Sequence, residues 1–361
     1  MSIRLPDFVG SVIEAALSPH PVDRYLELVD PMLTWRDLRA KVIEVEHPTD
    51  RTVRLVLRPT RQWSGHRAGQ YVQLSVVIDG VRHMRCFSPA NAEGGPDSDI
   101  ELIVTAHDDG FVSRHLRERT RVGDVLGLST PDGTFTLPAR DPEAAVFVSG
   151  GSGITPVLSM VRTLLARGYR RPITFLHYAR DADDVPQREL LEELAAIHPT
   201  VDLRLRYTRA DGPGGGHFEA GHLADIEHLA VADLFLCGPP GLMSAVTEHH
   251  ESTGHTRSLH SEAFTLASRV APDPDEAVSG ELRFLSSDRV ATNDGRTILD
   301  QAESAGLSPE HGCRMGICFS CTAVKKAGCT RNVLTGDIDT ESDTQIQLCI
   351  NAPVGDVEIE V

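Results

Sequence analysis

Four cysteines late in the chain constrain the fold more than any other feature. Cys313, Cys318, Cys321 and Cys349 read C-x4-C-x2-C-x27-C. Three thiols share one short loop, and the fourth comes from a separate segment. This spacing supplies four thiolates, two for each iron of a 2Fe–2S cluster. Gly312, Gly316 and the small Ser320 let the loop backbone come close to the bridging sulfides and leave amide donors free there. A structural zinc site is the alternative, but zinc favours paired C-x2-C knuckles and only one is present. Cysteines packed as small apolar side chains are the other alternative. Cys329 lies too close to Cys321 to be the fourth ligand, whereas Cys349, in Gln347-Leu-Cys-Ile-Asn351, precedes a terminal strand. The chain has 7 cysteines, an odd number, which in a reducing compartment points to metal binding rather than to a disulfide framework.

A chain of 361 residues exceeds one ordinary core and divides into two or three domains. Residues 1–36 read as a partly helical extension: Val9 to Leu17 has apolar positions at helical spacing, and Pro19, Pro21 and Pro31 break up the remainder of the segment. Residues 37–140 alternate with period two in Thr52–Leu57, Tyr71–Val76 and Ile100–Thr105, predicting an antiparallel β-barrel. Residues 141–267 alternate short apolar strands with helices, which predicts a parallel sheet covered on both faces. Residues 268–280 contain the polar tract Ala271-Pro-Asp-Pro-Asp-Glu-Ala277 and read as a linker, and residues 281–361 form a compact cysteine-bearing segment. The net charge of −17 argues against a nucleic-acid or anionic-membrane surface and fits docking to a basic partner. No apolar stretch is long enough to span a bilayer, and Met1 to Gly10 lacks the features of a signal peptide, so a cytoplasmic location is expected.

The barrel region carries Arg85-Cys-Phe-Ser88 after a strand, Gly69-Gln-Tyr-Val-Gln-Leu74, Gly110-Phe-Val-Ser113 and Pro131-Asp-Gly-Thr-Phe135. In this order they resemble the flavin-binding signatures of the ferredoxin–NADP reductase superfamily. The resemblance implies that Arg85 pairs with flavin phosphate, Phe87 stacks on the ring and Ser88 bonds near its N5. Phe87 replaces the usual Tyr, so stacking survives while a phenolic hydrogen bond is lost. Gly110, Val112 and Ser113 open a helical stretch whose free amides and dipole favour a pyrophosphate. Read singly, Arg85 is a surface charge, the glycines are turns and Ser113 is a helix cap.

Gly150-Gly-Ser-Gly-Ile-Thr-Pro156 lies between a strand and a helix. It departs from G-x-G-x-x-G, because Thr155-Pro156 stands where the last glycine would fall. It resembles the reductase family's nucleotide turn, which implies roles for Gly150, Gly151, Gly153, Thr155 and Pro156. Cys237-Gly-Pro-Pro-Gly-Leu-Met243 resembles the family's C-G-P-x-x-M, which places Cys237 and Gly238 beside the nicotinamide; otherwise Cys237 is a buried strand residue. Thr208 and Arg209, with Arg180 assisting, resemble the residues that hold an adenosine 2′-phosphate, favouring NADPH over NADH; a solvated arginine is the alternative. Glu262, in Ser261-Glu-Ala-Phe264, resembles the family's E-x-F near the nicotinamide. Ser88, Cys237 and Glu262 are the residues expected at the hydride path.

From Glu281 to Val361 the chain resembles plant-type ferredoxins, which implies a β-grasp α+β fold. The order flavin barrel, α/β nucleotide domain, ferredoxin domain is chemically sensible. A nicotinamide delivers a hydride, a cluster takes one electron, and a flavin mediates between them. The whole resembles the reductase component that feeds fatty-acid desaturases, alkane hydroxylases and related oxygenases, implying FAD, a 2Fe–2S cluster and NADPH. The rival with the same domain order is an NADH-dependent, FMN-containing reductase of an aromatic-ring dioxygenase. No desaturase histidine box is present, so oxygen chemistry is expected on a separate partner.

Overall fold

The computed structural model describes residues 22–107, 110–210, 215–254, 256–264, 278–312, 314, 316 and 319–361. The helix expected at Val9 to Leu17, the linker tract Ala271 to Ala277, and Cys313 and Cys318 lie outside the described residues. The described chain opens with the short helix α1 (Val22–Leu26). Its buried Asp23 accepts backbone N–H bonds from Trp35, Arg36 and Asp37, which tie the segment to the start of the barrel.

Six strands form an antiparallel sheet: β1 (Arg39–Thr49), β2 (Thr52–Pro59), β3 (Val72–Ile78), β4 (Val81–Phe87), β5 (Ile100–Thr105) and β6 (Val125–Leu128), in the order β4-β3-β6-β1-β2-β5. Alternate side chains such as Val53, Leu55, Leu57, Leu74 and Leu102 face one core, which Val112 and Leu116 of α2 (Phe111–Arg119) also enter. The β3–β4 hairpin turns at Asp79-Gly80, both at positive φ (50° and 81°), the two-residue geometry that matches strand twist. A bridge between Pro89 and Leu102, with Ala90 N–H donating to Glu101 O at 2.8 Å, joins the end of β4 to β5 and closes the sheet into a barrel.

The next unit has five parallel strands: β7 (Ala144–Gly150), β8 (Ile173–Ala179), β9 (Val201–Tyr207), β10 (Ala232–Cys237) and β11 (Ser258–Glu262), ordered β11-β10-β7-β8-β9. Every residue of β7 and β8 is buried, as both-face coverage requires. Helices α3 (Ile154–Ala166) and α4 (Arg188–Ile197) pack on the face of Phe147, Phe175 and Phe235. The short α5 (Gly221–Ala224) and the longer α6 (Pro240–Thr253) cover the face of Val146, Val148 and Leu234. Ala68, Ile103, Phe135 and Leu137 of the barrel region join the first of these cores, and the Phe135 and Phe235 rings lie 6.4 Å apart. Barrel and parallel sheet therefore share a core. Strand order reverses direction at β7, and a crevice at the carboxyl ends of such strands is where ligands bind.

The C-terminal unit is a mixed sheet of β12 (Glu281–Phe284), β13 (Arg289–Thr292), β14 (Thr322–Asn332), β15 (Ile338–Asp339), β16 (Thr344–Gln347) and β17 (Asn351–Ile359). Its order is β13-β12-β17-β14-β15, with β16 also on β14, and only β12–β17 is parallel. Helix α7 (Ile298–Ser304), capped by the Thr297 hydroxyl accepting from Asp300 N–H, buries Ile298 and Leu299 against Leu282, Phe284 and Val357. Among the described residues no helix is long and apolar enough to cross a membrane.

Candidate functional site

The end of β4 forms one wall of a cavity of about 410 Å³ that Arg85, Cys86, Phe87 and Ser88 line. Tyr71, the first turn of α2 and, at and beyond the end of β11, Glu262 and Phe264 complete it. Two polar atoms in it are buried and find no partner among the described residues: Ser88 Oγ and Glu262 Oε2. Burial pushes the Glu262 carboxyl up to about 8, so it is neutral at neutral pH. An apolar slot with aromatic walls and two orphaned polar groups fits a flat heteroaromatic ring carrying hydrogen-bonding edges. Among the described residues the α2 N-terminus has no side-chain cap; the Ser113 hydroxyl donates to Gly110 O at 3.2 Å and accepts from His107 N–H at 3.5 Å, outside the helix. Its first amides thus remain available to an anion beside Arg85.

A second cavity, about 630 Å³, runs along the carboxyl ends of the parallel strands. Gly150 and Gly151 form its floor, and Arg180, Thr208 and Phe218 its far end. Thr105, His107 and Ser152 line both cavities, which are therefore adjacent. The glycines are required by close approach. A Cβ at Gly153 would lie 2.3 Å from Cys237 O, and one at Gly150 would lie 2.8 Å from the Pro239 ring. A Cβ on Gly238 would fall 3.0 Å from Gly150 N, so the two turns interlock.

Not every residue expected at the site reaches it. Cys237 is fully buried behind Gly153, and neither cavity wall includes it, Gly238, Gly153 or Pro156. Cys237 instead stands in one cross-strand row with Glu262, Ser149 and His177. Burial and the neighbouring Glu262 raise its thiol well above the usual value. In the same row, His177 Nδ1 lies 2.8 Å from Ser149 Oγ, and burial lowers the imidazole to about 3. Thr155 lines the flavin-side cavity, with its hydroxyl donating to Ser152 O at 3.3 Å. Arg209 turns outward, 63% exposed, and its Nη1 lies 3.6 Å from Asp181 Oδ2. Sequence reasoning left Thr105, His107, Ser152, His217 and Phe218 out of the site, although all line these cavities. Only the position of Thr105 at a strand end and the Gly150 turn around Ser152 carried any signal for them.

In the C-terminal unit Cys321 and Cys349 are 2% and 3% exposed. Leu348 N–H donates to Cys321 O at 3.0 Å, which brings the two thiols' segments side by side. Arg314, Gly316 and Phe319 all have positive φ (58°, 74° and 55°), the curvature of a loop that wraps inward. The loop is fastened by Gln347 Nε2 donating to Gly316 O at 2.8 Å and by Arg314 pairing with Glu303 of α7. Cys329 sits on β14 opposite Val354, in a different part of the sheet. Two buried thiols beside an inward-curved loop fit the donor set of a thiolate-held cluster. Arg85 donates to Met84 O at 2.7 Å and also reaches Gly312 O at 3.5 Å. The flavin-side cavity and the cysteine loop are therefore in contact.

Family models match the chain in the same order. Residues 40–137 match the oxidoreductase FAD-binding domain, 147–248 the oxidoreductase NAD-binding domain and 285–349 the 2Fe-2S iron-sulfur cluster binding domain. An NADPH oxidoreductase of Mycobacterium tuberculosis is 32% identical over 344 residues, covering 94% of this chain and 88% of that protein. A glycine betaine monooxygenase reductase subunit of Pseudomonas aeruginosa is 29% identical, covering 81% and 87%. Among solved structures, phthalate dioxygenase reductase superposes with a TM-score of 0.61 at 22% identity, over 90% of this chain and 97% of that one. The cavities, the interlocked glycine turns and the buried thiols thus belong to one arrangement: the chain is an oxidoreductase of the ferredoxin–NADP reductase superfamily fused to a C-terminal 2Fe–2S ferredoxin domain, with FAD, a nicotinamide nucleotide and the cluster as its cofactors.

Proposed function

We propose that the chain takes a hydride from NADPH onto FAD and passes electrons singly through its 2Fe–2S cluster to an oxygenase or desaturase partner. The observation that carries this reading is adjacency. The two cavities share Thr105, His107 and Ser152 in their walls, and Arg85 of the first cavity touches Gly312 at the start of the cysteine loop. FAD supplies the conversion of a two-electron donor into one-electron steps, which the cluster requires. Arg85 and the first amides of α2, at Phe111, Val112 and Ser113 just past the Gly110 cap, would hold phosphate, and Phe87 would pack against the ring. Ser88 and Glu262 face the reacting edge, where neutral Glu262 offers a proton at its carboxyl. Gly150, Gly151, Thr208 and Arg180 hold the nucleotide, and Cys237 with Gly153 supports its turn from beneath. Cys313, Cys318, Cys321 and Cys349 hold the cluster.

The Mycobacterium relative's name supports NADPH as the donor, and the Pseudomonas relative's name supports an oxygenase as the acceptor. An acidic chain of net charge −17 suits a basic docking surface on that acceptor. A second reading, in which NADH is the donor, is favoured by one observation: Arg209 points out of the cavity rather than into it. Anaerobic titration with NADPH and then NADH, following flavin and cluster absorbance separately, tests the choice, and extraction identifies the flavin. Preferential bleaching by NADH would replace the first reading by the second. Flavin bleaching that never reaches the cluster would overturn both.

A further inference from the structure

The nucleotide cavity has two distinct ends. One adjoins the flavin cavity, and the other lies at the carboxyl ends of β8 and β9, where Arg180 and Thr208 stand. Both cations at this far end are held by acids of a single turn, Asp181-Ala-Asp-Asp184. Arg180 donates through Nε to Asp184 Oδ2 at 2.5 Å and through Nη2 to Oδ1 at 2.8 Å. Arg209 lies against Asp181 at 3.6 Å, and its backbone N–H donates to Arg180 O at 3.0 Å. Asp184 N–H donates to Asp181 Oδ1 at 3.1 Å, closing the turn through the backbone rather than through the Asp184 carboxylate. Asp184 and Arg180 both line the cavity, so a ligand bound there would meet both side chains.

We infer that Asp184 is a selectivity residue: by occupying the Arg180 guanidinium fork it sets how well the cavity accepts a phosphate on the adenosine ribose relative to a free hydroxyl. The inference rests on the nucleotide reading of this cavity given above. A guanidinium fork binds one carboxylate or one phosphate edge in the same two-donor geometry. A ribose 2′-phosphate must displace the Asp184 carboxylate or share the fork with it, and sharing sets two anions side by side. A ribose hydroxyl meets no such repulsion and can donate to the carboxylate. Asp184 therefore restrains phosphate binding at a position where Arg180 alone would strongly favour it.

The test uses the flavin- and cluster-loaded full chain and measures dissociation constants of NADP+ and NAD+ from the flavin difference spectrum. Asp184→Asn keeps the shape and the backbone bond of the turn. It is expected to raise the ratio of NADP+ to NAD+ affinity by about tenfold, mostly through tighter NADP+ binding. Arg180→Met is expected to lower that ratio, and adding Asp184→Asn to it should change nothing further. Asp184→Glu, which keeps the charge, should stay near the wild-type ratio and serves if the Asn variant folds poorly. An unchanged ratio in Asp184→Asn, or an equal shift for both nucleotides, overturns the inference, as does a shift that persists without Arg180. Wild-type protein reduced by NADH alone would refute the NADPH reading and leave this ratio still decisive. Failure of both nucleotides to bind would overturn the two together.

Discussion

Glu262 shows how one side chain's surroundings set its chemistry. It ends β11, pairs in register with Cys237 and has a carboxyl oxygen buried without a partner among the described residues. An ordinary glutamate ionises near 4.5, whereas burial keeps this one protonated up to about 8. Between those values the unfolded chain binds fewer protons than the folded one, so the contribution of Glu262 to stability falls as pH rises through that window. Glu262→Gln is expected to remove this slope and to melt above wild type at about pH 9, which thermal scans across pH would check. Flavin reduction by the nicotinamide is expected to slow as pH rises through about 8, because a carboxylate repels the negative charge arriving with the hydride. Stopped-flow rates should lose that dependence in Glu262→Gln, and a persisting inflection would assign the titration to another group. The motif around Glu262 was legible in the sequence; its shifted acidity was not, because burial comes from strands and loops distant in the chain.

At the scale of elements, α3 carries the junction between barrel and nucleotide unit. Of its 13 residues, 11 are buried, as expected for a helix apolar on most sides. Three polar side chains fasten it to the strand-end segment beyond Ser88. Ser159 Oγ donates to Asn91 O at 2.6 Å, Arg162 to Ala90 O at 3.1 Å, and Thr163 Oγ1 accepts from Glu93 N–H at 2.9 Å. Arg162 also pairs at 2.9 Å with Glu101, whose other oxygen takes Arg54 at 3.1 Å. Arg162→Met leaves a nearly buried carboxylate with one cation instead of two. Denaturant unfolding is expected to register a loss of about 2 kcal/mol, below the full cost of breaking a buried pair because Arg54 remains. None of these partners was legible, since they lie 61 to 72 residues away in the chain. Local patterns fared better. Helix α4 and strand β9 follow the alternation of short strands and helices expected over this stretch of the chain. Helix α3 starts at Ile154 and takes Pro156 into its first turn, where a missing N–H costs nothing. Pro240 opens α6 for the same reason.

For the whole molecule, the cysteine spacing was legible because three of the four cysteines belong to one short stretch of sequence, whereas the contact between Gly312 and Arg85 depends on the packing of units more than 200 residues apart. Cys349→Ser is expected to abolish the cluster's visible absorbance and the reduction of one-electron acceptor proteins. Bleaching of the flavin by nicotinamide should continue, and a parallel loss of flavin bleaching would mean that the two sites are not separable steps. The Arg85–Gly312 contact has a further consequence, for flavin retention. The start of the cysteine loop rests against the arginine that borders the first cavity, so a flavin phosphate held by Arg85 and the C-terminal unit would share one side chain. Flavin release is therefore expected to quicken when the ferredoxin domain is removed, and the fluorescence of freed flavin would check this.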